Sequence, residues 1–542
     1  MEQPGYLDSR RGTHPFFHDP SARRPHVLVI SVDMIPPESY APGHPIREHL
    51  HTPNLDRLMG DGVRFTHAFS CSPLCGPSRA GYLTGRYPYL QVNEERAHDG
   101  SEYALRPSDA IFPEYLRATG YVTKHAGKCH VGAAKFLDAF GENASPWDRW
   151  APPLGDDDGY LRYLRDMGLV PHVWSDPIRG LRPDRTTAGN SYGGWVVQPD
   201  GSEFPPEATY SRYLARLAAD HLQAAVAQRG DRPIYLQVDF FAPHQPFFVP
   251  TCYRERAREL AERIELPESY SEATSGEAKW PRVYEFYKWN WGLYDPEAAR
   301  RYMLMNFLQV EALDGAIGEL LAAVDGLGLY EQSAVIFLGD HGEMNCERGL
   351  VDKGVYGHPK VARVPLSVKL PGDTATGRQV DAPVSLLDIA PTILELGGVT
   401  VTDRLDGQSL LPLMTAKPPS GPPPPTGTVA RRSKPLLFEC GWHVCPNPAV
   451  STVAELQDGR LFMYTFNLTS DLDELYDLAD LTYRDLAREQ QYAPVKSEMI
   501  RRLGAILQAD CRWTCYWHTF RLAKYDELDV AGGDLQMLRP ER

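Results

Sequence analysis

The chain has 542 residues, of which 71 are acidic and 56 basic, so its formal charge at pH 7 is −15. Hydrophobic residues make up 42% and charged residues 23%, a composition that indicates a globular protein with a large core and argues against a mainly disordered chain. The negative balance argues against a general nucleic-acid binder, although an acidic protein can still bind a small anion in a locally positive pocket.

Residues 1–24 are polar and lack the apolar stretch of a signal peptide. No run approaches the roughly 18 apolar residues that a membrane span needs. The nine cysteines are odd in number and widely spaced, which does not indicate a disulfide framework. From these features we expect a cytoplasmic, reduced protein that binds no membrane.

Short apolar runs at residues 26–33, 234–241, 334–338 and 364–370 predict buried strands. Amphipathic helical patterns lie between them, at residues 207–228 and 297–324. Buried strands that alternate with helices predict an α/β fold in which a large, mostly parallel sheet is sandwiched by helices.

The pattern changes after a Pro- and Gly-rich run at residues 420–427, which is typical of a linker or an exposed loop. Beyond it, strand patterns flank a hairpin turn at Asp458-Gly459, and a helix is predicted from about residue 484 to 507. These features indicate a smaller C-terminal α+β subdomain. The predicted parts are an N-terminal extension at 1–25, a main domain at 26–417, a Pro-rich linker or loop at 418–432, and the subdomain with its tail at 433–542.

The most informative segment contains Cys75, Pro77 and Arg79 at a C-x-P-x-R spacing. Average residue usage gives this spacing by chance in only about 0.03 of chains of this length. Pro77 suits the first turn of a helix, which places Cys75 at the helix N-terminus. There the free amides and the helix dipole favour a thiolate, an alkoxide or a bound oxyanion, whereas the alternative is a buried structural cysteine.

The run Cys75-Gly-Pro-Ser-Arg-Ala-Gly-Tyr-Leu-Thr-Gly-Arg86 resembles the signature of type I, formylglycine-dependent sulfatases in the alkaline phosphatase superfamily. The resemblance covers about residues 26–508 and continues, in order, through Thr52-Pro-Asn-Leu-Asp56, Gly127-Lys-Cys-His130, Pro243-His-Gln-Pro-Phe247, Asp340-His-Gly-Glu343, Arg363-Val-Pro365 and Glu474-Leu-Tyr-Asp-Leu478. It implies an alkaline-phosphatase-like fold in which the main domain is catalytic. It also implies hydrolysis of an organic sulfate ester, aryl or alkyl, to sulfate and a phenol or alcohol.

In that family the motif cysteine, here Cys75, is oxidised to Cα-formylglycine, so a formylglycine-generating enzyme is an expected partner. One hydroxyl of the aldehyde hydrate attacks the sulfur, and the second then expels sulfate and restores the aldehyde. A serine would lack this second step. Cys71 also precedes a proline at the right spacing, but Cys75 occupies its arginine position, so we do not expect Cys71 to be the nucleophile.

A divalent metal is expected to hold the nucleophile ionised and to neutralise the sulfate oxygens. Asp33 ends one predicted strand, and Asp340 and His341 follow another; folds of this class gather ligands at the carboxyl ends of parallel strands. With Cys75, these residues form the expected metal site. Oxygen-rich ligation indicates Ca²⁺, with Mn²⁺ or Mg²⁺ as alternatives.

Two residues depart from the pattern of the family. Many sulfatases have an acidic or amide residue directly after the first aspartate, where this chain has Met34. A thioether is a poor ligand for a hard cation, so the site would have one protein ligand fewer, or a water in that place. Cys129 stands where an aromatic residue is usual.

The resemblance also implies roles for basic residues. Arg79 would hold the hydrate, and Lys128 and Lys353 would neutralise the sulfate group. His130 would bond the hydrate and take its proton in the elimination step, while His244 would protonate the leaving oxygen with help from Lys353.

Three assignments stay open. Lys360 and His358 compete with Lys353, because the spacing in this region varies within the family. The aromatic-rich stretch at residues 271–291 predicts either a pocket wall or lid, or a packing or subunit-contact segment. The group Cys440, His443 and Cys445 has no fourth ligand at suitable spacing, so ordinary packing is favoured over a metal site.

Two other functions remain as alternatives. A phosphonate monoester or phosphodiester hydrolase of the same superfamily would also use formylglycine and an Asp–His metal pair, and such enzymes often lack the acidic residue that Met34 replaces. A non-catalytic anion-binding homologue would keep Cys75 as a thiol. No nucleic-acid partner is expected, a small-molecule ester is the expected substrate, and a homo-oligomer stays open.

Overall fold

The computed structural model describes residues 24–88, 105–106, 108–141, 144–181, 188–272, 280–291, 293–372, 377–402, 404–415, 432–443, 445–468 and 472–524. Its centre is a sheet of eight strands. From one edge to the other these are β15 (Arg378–Val380), β2 (Val63–Phe65), β14 (Leu366–Lys369), β12 (Ser333–Gly339), β1 (His26–Asp33), β10 (Ile234–Pro243), β4 (Val122–Lys128) and β5 (Ala144–Trp147).

The strands of this sheet are parallel except β14, which pairs antiparallel with both β12 and β2. All residues of β1, β10 and β12 are buried. Such strands are continuous apolar runs because helices cover both faces of the sheet. The predicted mostly parallel α/β sheet is therefore confirmed.

The structure describes helices on both faces of the sheet and helices that pack elsewhere, including on the C-terminal sheet. They are α1 (Pro53–Gly60), α2 (Cys75–Thr84), α3 (Phe112–Ala118), α4 (Ala133–Phe140), α5 (Asp158–Asp166), α6 (Tyr210–Gln228), α7 (Arg254–Ala261), α8 (Arg282–Trp291), α9 (Pro296–Gly326), α10 (Pro359–Ala362), α11 (Ile389–Leu396), α12 (Leu411–Thr415), α13 (Ala493–Ala509) and α14 (Thr514–Ala523). Leu28 and Ile30 of β1 pack in the core cluster that contains α6 and α9, whereas Val27 and Val29 pack in the one that contains α2, α3 and α11. This alternation follows from the two-residue period of a strand.

Short strands extend the main domain around the sheet. They are β3 (Ala68–Phe69), β6 (Val173–Ser175), β7 (Arg179–Leu181), β8 (Ala188–Ser191), β9 (Gly193–Val197), β11 (Phe247–Pro250), β13 (Arg363–Val364) and β16 (Val384–Ser385). They form two three-stranded sheets, β11-β9-β6 and β13-β3-β16, and the hairpin of β7 and β8.

The C-terminal subdomain is an antiparallel sheet followed by helices, as predicted. Its strands, in spatial order, are β17 (Leu437–His443), β18 (Cys445–Glu455), β19 (Leu461–Asn467) and β20 (Glu474–Asp477). The turn between β18 and β19 contains Asp458-Gly459, where Gly459 has φ 82°. α13 packs on this sheet through an apolar cluster that includes Leu503 and Phe462.

Two predicted elements are wrong in their bounds. The strand expected at 364–370 is split, because Val364 pairs with β3 in a small sheet and only Leu366–Lys369 joins the central sheet. Pro365 stands between the two and lacks the amide that a continuous strand would use. The helix expected from residue 484 begins instead at Ala493, with Pro494 in its first turn, where a proline is tolerated.

The Pro-rich run at 420–427 and most of the N-terminal extension, residues 1–23, lie outside the described residues. Among the helices that the structure describes, none combines the length and the apolar character needed to cross a bilayer.

Candidate active site

The functional side chains meet at the edge of the sheet where the parallel strands end. Asp33 is the last residue of β1, Lys128 the last of β4, and His244 directly follows β10. Asp340 and His341 follow β12. Adjacent parallel strands end at the same edge, so residues that are hundreds of positions apart in sequence become neighbours.

Cys75 is the first residue of α2, which the Pro77 signal predicted. The Cys75 side chain is fully buried, and its Sγ lies 3.6 Å from Asp33 Oδ1 and 3.2 Å from His341 Nε2. The N-terminus of α2, with its free amides, therefore lies beside Asp33 and His341.

Four side chains form a compact donor cluster. One ligand atom each from Asp33, Cys75, Asp340 and His341 lies within 4.8 Å of the other three, and all four residues are buried. His341 Nδ1 is 2.9 Å from the Gly342 carbonyl oxygen. Since a carbonyl accepts only, Nδ1 carries a proton, and Nε2 is the ring nitrogen that can offer a lone pair to a cation bound in the cluster.

Asp33 and Asp340 each contact a basic side chain through one carboxylate oxygen. The other oxygen of each faces the donor cluster. Lys128 Nζ donates to Asp33 Oδ2, and Arg79 Nη2 lies 2.9 Å from Asp340 Oδ2. The Oδ1 atoms of Asp33 and Asp340 lie 3.4 and 3.8 Å from His341 Nε2. Two carboxylate oxygens and one imidazole nitrogen thus converge, and they fit a hard divalent cation.

The surrounding charges keep the site ionised. Burial alone raises the pKa of Asp33, but the charges of Lys128 and Arg79 outweigh it and hold that pKa well below its usual value. Burial opposes the charged form of His341, yet the nearby Asp340 and Cys75 raise its pKa to about 9. A cation bound at these oxygens would reverse the effect on the imidazole, because its own charge becomes the largest in the site.

Met34 occupies the position after Asp33, and its backbone is part of the site. Its amide donates to Asp340 Oδ1 over 3.1 Å, and its φ is 57°. The His341 amide donates to the same oxygen over 2.8 Å. The left-handed backbone at Met34, which is uncommon for a residue with a side chain, thus helps to orient a carboxylate of the donor cluster.

Arg79 is fully buried and connects the site to a third aspartate, Asp239, which the sequence analysis missed. Its Nη1 donates to the Lys128 carbonyl oxygen over 2.9 Å and lies 3.4 Å from Asp239 Oδ1. Asp239 on β10 also contacts His125 Nε2 at 2.9 Å and the Tyr82 hydroxyl at 3.2 Å. The sequence did contain a signal for Asp239, because it is the one acidic residue within the apolar run 234–241.

His244 and Lys353 form a pair on another side of the site. Lys353 Nζ is 2.6 Å from His244 Nε2, and His244 Nδ1 donates to the Gln245 carbonyl oxygen. Lys353 Nζ also lies 3.0 Å from Asp352 Oδ1. Lys360, the competing lysine, instead forms buried ion pairs with Glu38 and Glu347, so the structure brings Lys353 to the site.

The aromatic stretch at 271–291 reaches this pair through α8. The Tyr287 hydroxyl donates to Asp352 Oδ2 over 2.8 Å and lies 2.6 Å from His443 Nδ1 of the C-terminal sheet. Tyr284 and Trp280 are also buried, whereas Phe286 and Trp289 are exposed. Part of the stretch therefore supports the site, and the sequence analysis missed both Asp352 and the contact of His443 with Tyr287.

His130 and Cys129 follow Lys128 at the end of β4 and are both buried. Burial and the charges of Lys128 and Arg79 lower the pKa of His130 well below its usual value, so this imidazole is neutral. Burial raises the pKa of the Cys129 thiol, whose Sγ lies 3.3 Å from the Trp147 carbonyl oxygen.

The other cysteines near these motifs are packing residues. Cys71 Sγ lies 3.9 Å from the Ser78 carbonyl oxygen, and burial raises the pKa of its thiol. Cys440 Sγ lies 3.3 Å from the Tyr356 carbonyl oxygen. Within the described ranges, the Asp33 cluster is the one metal-competent group found, and the Cys445 side chain lies outside them.

The protein family and the relatives that this chain matches are all described as sulfatases. Residues 25–399 match the protein family described as Sulfatase. The chain is 26% identical over 476 residues to the choline-sulfatase of Rhizobium meliloti, covering 84% of this chain and 80% of that protein. It is also 26% identical over 364 residues to an uncharacterised sulfatase of Escherichia coli, covering 67% of this chain and 66% of that protein, slightly under two thirds of its length.

Solved structures show the same fold. The phosphonate monoester hydrolase of Agrobacterium radiobacter matches with a TM-score of 0.63 and 22% identity, over 89% of this chain and 95% of that one. A structure described as a putative sulfatase from Bacteroides thetaiotaomicron matches with a TM-score of 0.61 and 17% identity, over 93% and 94%. At these identities the likeness concerns the fold alone.

Proposed function

The chain belongs to the sulfatase family, and from this premise we propose that it hydrolyses an organic sulfate ester to sulfate and an alcohol or phenol. The observation that carries the proposal is the position of Cys75. Its Sγ stands at a helix N-terminus and among the donors Asp33, Asp340 and His341, where a nucleophile, a cation and a sulfate group would meet.

In the active protein, Cys75 is converted to Cα-formylglycine by a formylglycine-generating enzyme. The thiol Sγ in the structure then stands in for a hydroxyl oxygen of the aldehyde hydrate. One hydroxyl attacks the ester sulfur, and the other loses its proton and expels sulfate. His130, a neutral and buried imidazole two residues after Lys128, would accept that second proton.

Asp33, Asp340 and His341, with the converted Cys75, would hold one divalent cation, Ca²⁺ in the first instance. That ion supplies charge that ionises the hydrate and neutralises sulfate oxygens. Arg79 orients Asp340 through Nε and Nη2, at 3.0 and 2.9 Å from Oδ2, and Lys128 orients Asp33. The charged side chains of Arg79 and Lys128 also lower the energy of an anionic group bound in this buried space.

Protonation of the leaving oxygen falls to the Lys353–His244 pair. Burial and the Lys353 charge lower the pKa of His244 well below its usual value, and its Nε2 accepts from Lys353 in this arrangement. Asp352 raises the pKa of Lys353 against the effect of burial. The proton is therefore held on Lys353 Nζ, which supplies it to the leaving oxygen directly or through His244.

A second candidate, a phosphonate monoester or phosphodiester hydrolase, is favoured by one observation. The residue after Asp33 is Met34, whose thioether adds no hard donor to the cluster. The cluster then has three protein ligands besides residue 75. The resemblance implied that phosphonate monoester and phosphodiester hydrolases often lack the same acidic residue. Rates on 4-nitrophenyl sulfate and on a 4-nitrophenyl phosphonate ester, measured with one preparation, distinguish the two.

The experiment that tests the proposed function combines chemistry and mass. Conversion to formylglycine lowers the mass of the tryptic peptide that contains Cys75 by about 18 Da, because –CH₂SH becomes –CHO. We expect sulfate release from a panel of sulfate esters to scale with the converted fraction. Sulfate release by wholly unconverted protein, or none by wholly converted, metal-loaded protein, would contradict the proposal.

A further inference from the structure

An aromatic strip begins at the leaving-group side of the site. Trp150 is 52% exposed, and its ring centroid lies 6.1 Å from that of the His244 imidazole. The Trp150 carbonyl oxygen accepts from Lys128 Nζ over 3.1 Å. The backbone of this exposed tryptophan is thus fixed to a lysine of the active site, while its ring stands beside the pair that would protonate the leaving oxygen.

The strip continues from His244 through three further aromatic rings in contact with one another. Phe241 stacks on His244 with centroids 5.0 Å apart, and Phe248 lies 6.4 Å from Phe241. Trp174, 40% exposed, lies 5.4 Å from Phe248. Aromatic pairs at such separations are mutually attractive, so the strip is an ordered surface.

Many of the exposed large hydrophobic side chains come from the stretch of chain that contains Trp150 and Trp174. Of ten large hydrophobic side chains exposed within the described residues, six fall between residues 137 and 174: Leu137, Trp150, Met167, Val170, Val173 and Trp174. An apolar surface of this kind next to a catalytic centre marks a binding site more often than chance exposure does.

Two polar ring atoms of the strip already have partners within the protein. Trp174 Nε1 donates to the Phe247 carbonyl oxygen over 2.9 Å, and His244 Nδ1 donates to that of Gln245. Burial lowers the pKa of His172, which packs against Phe248, to about 4, so this ring is uncharged at neutral pH. The strip therefore offers ring faces, which suit a flat apolar group better than a sugar with many hydroxyls.

We propose that the Trp150 strip is the subsite for the alcohol part of the substrate, and that this part is a planar aromatic alcohol. The inference rests on the proposed function, because the leaving oxygen must lie between the sulfur and His244. A ring attached to that oxygen is then within stacking distance of Trp150, whose centroid is 6.1 Å from the imidazole.

The test uses Trp150→Ala and Trp150→Phe in the metal-loaded, converted enzyme. Each variant's kcat/KM is divided by the wild-type value for the same substrate, which cancels the intrinsic reactivity of the ester. We expect Trp150→Ala to lower kcat/KM about threefold to tenfold for 4-nitrophenyl sulfate and less than twofold for methyl sulfate. Trp150→Phe should restore most of the loss. Trp289→Ala, an exposed tryptophan on α8, is the matched control and should change neither ratio.

Equal losses on both esters, or none with 4-nitrophenyl sulfate, would overturn the proposal. Binding of 4-nitrophenol, measured by calorimetry, should weaken in Trp150→Ala, while inhibition by inorganic sulfate should not change. This binding needs no turnover, so it tests the strip even if the wild type hydrolyses no sulfate ester. The strip could instead contact a second copy of the chain, and sedimentation of the wild type and Trp150→Ala tests this. A lower oligomer mass for Trp150→Ala, with unchanged binding of 4-nitrophenol, would assign the strip to that contact and refute the subsite.

Discussion

Replacing Asp352 by asparagine tests the assignment of the leaving-group acid. Asp352 Oδ1 lies 3.0 Å from Lys353 Nζ in a fully buried setting, and Lys353 lies 2.6 Å from His244 Nε2. Asparagine keeps the shape of the side chain but removes the charge that holds the proton on Lys353. A buried charge-assisted hydrogen bond contributes about 1.5–3 kcal/mol, equivalent to about tenfold to 100-fold in rate.

The loss should depend on the leaving group. For an alkyl sulfate, whose alkoxide needs a proton, we expect kcat/KM to fall by about tenfold to 100-fold. For 4-nitrophenyl sulfate, whose phenolate leaves readily, the fall should stay within about threefold. The assay is sulfate release under subsaturating conditions for the wild type and variant, each converted and metal-loaded.

The pH profile gives a second readout with a fixed sign. The acid must be protonated, so activity is lost as the pH rises through the pKa of Lys353. Asp352 raises that pKa above its usual value, so its removal should move the alkaline limb of the alkyl sulfate profile to lower pH.

Tyr287→Phe is the matched variant, because it removes one hydrogen bond to Asp352 but leaves the carboxylate charge. Its kcat/KM should fall less than that of Asp352→Asn, and again more for the alkyl sulfate than for 4-nitrophenyl sulfate. Equal losses on both esters in Asp352→Asn, with an unmoved alkaline limb, would refute the role given to Lys353.

Three further predictions concern the nucleophile and the metal. Cys75→Ser should fold normally but lose multiple turnover, because serine lacks the second hydroxyl, whereas Cys71→Ser should stay active; a reversed pattern in steady-state assays would show that the wrong cysteine was chosen. Asp33→Asn or Asp340→Asn should lower the rate by about 100-fold or more, and chelation should do so reversibly; full activity in protein shown metal-free by elemental analysis would contradict the site. Met34→Asp should tighten Ca²⁺ binding in a titration of stripped protein, with unchanged or lower turnover, and no gain in affinity would show that residue 34 does not face the metal.

The sequence determined the architecture and the residues of the donor cluster. Buried apolar runs at 26–33, 234–241 and 334–338 form strands wherever helices cover both faces of a sheet, and the acidic residues Asp33 and Asp340 fall at their ends. Parallel strands bring those ends to one edge, so their meeting follows from local patterns and fold class. Cys75 was placed by similar local chemistry, since a proline two residues later suits the first turn of a helix.

The tertiary structure alone decided which side chains support and extend this centre. Asp239 behind Arg79, Tyr287 on Asp352, and Trp150 beside His244 are contacts between segments that are 65 to 160 residues apart. No local period or spacing encodes such a contact, because a charge in a strand or an aromatic residue in a loop has the same sequence signature whether or not a partner faces it. The choice between Lys353 and Lys360, seven residues apart, also depends on the tertiary structure. The fold places Lys353 beside the buried carboxylate of Asp352, and Lys360 beside that of Glu38.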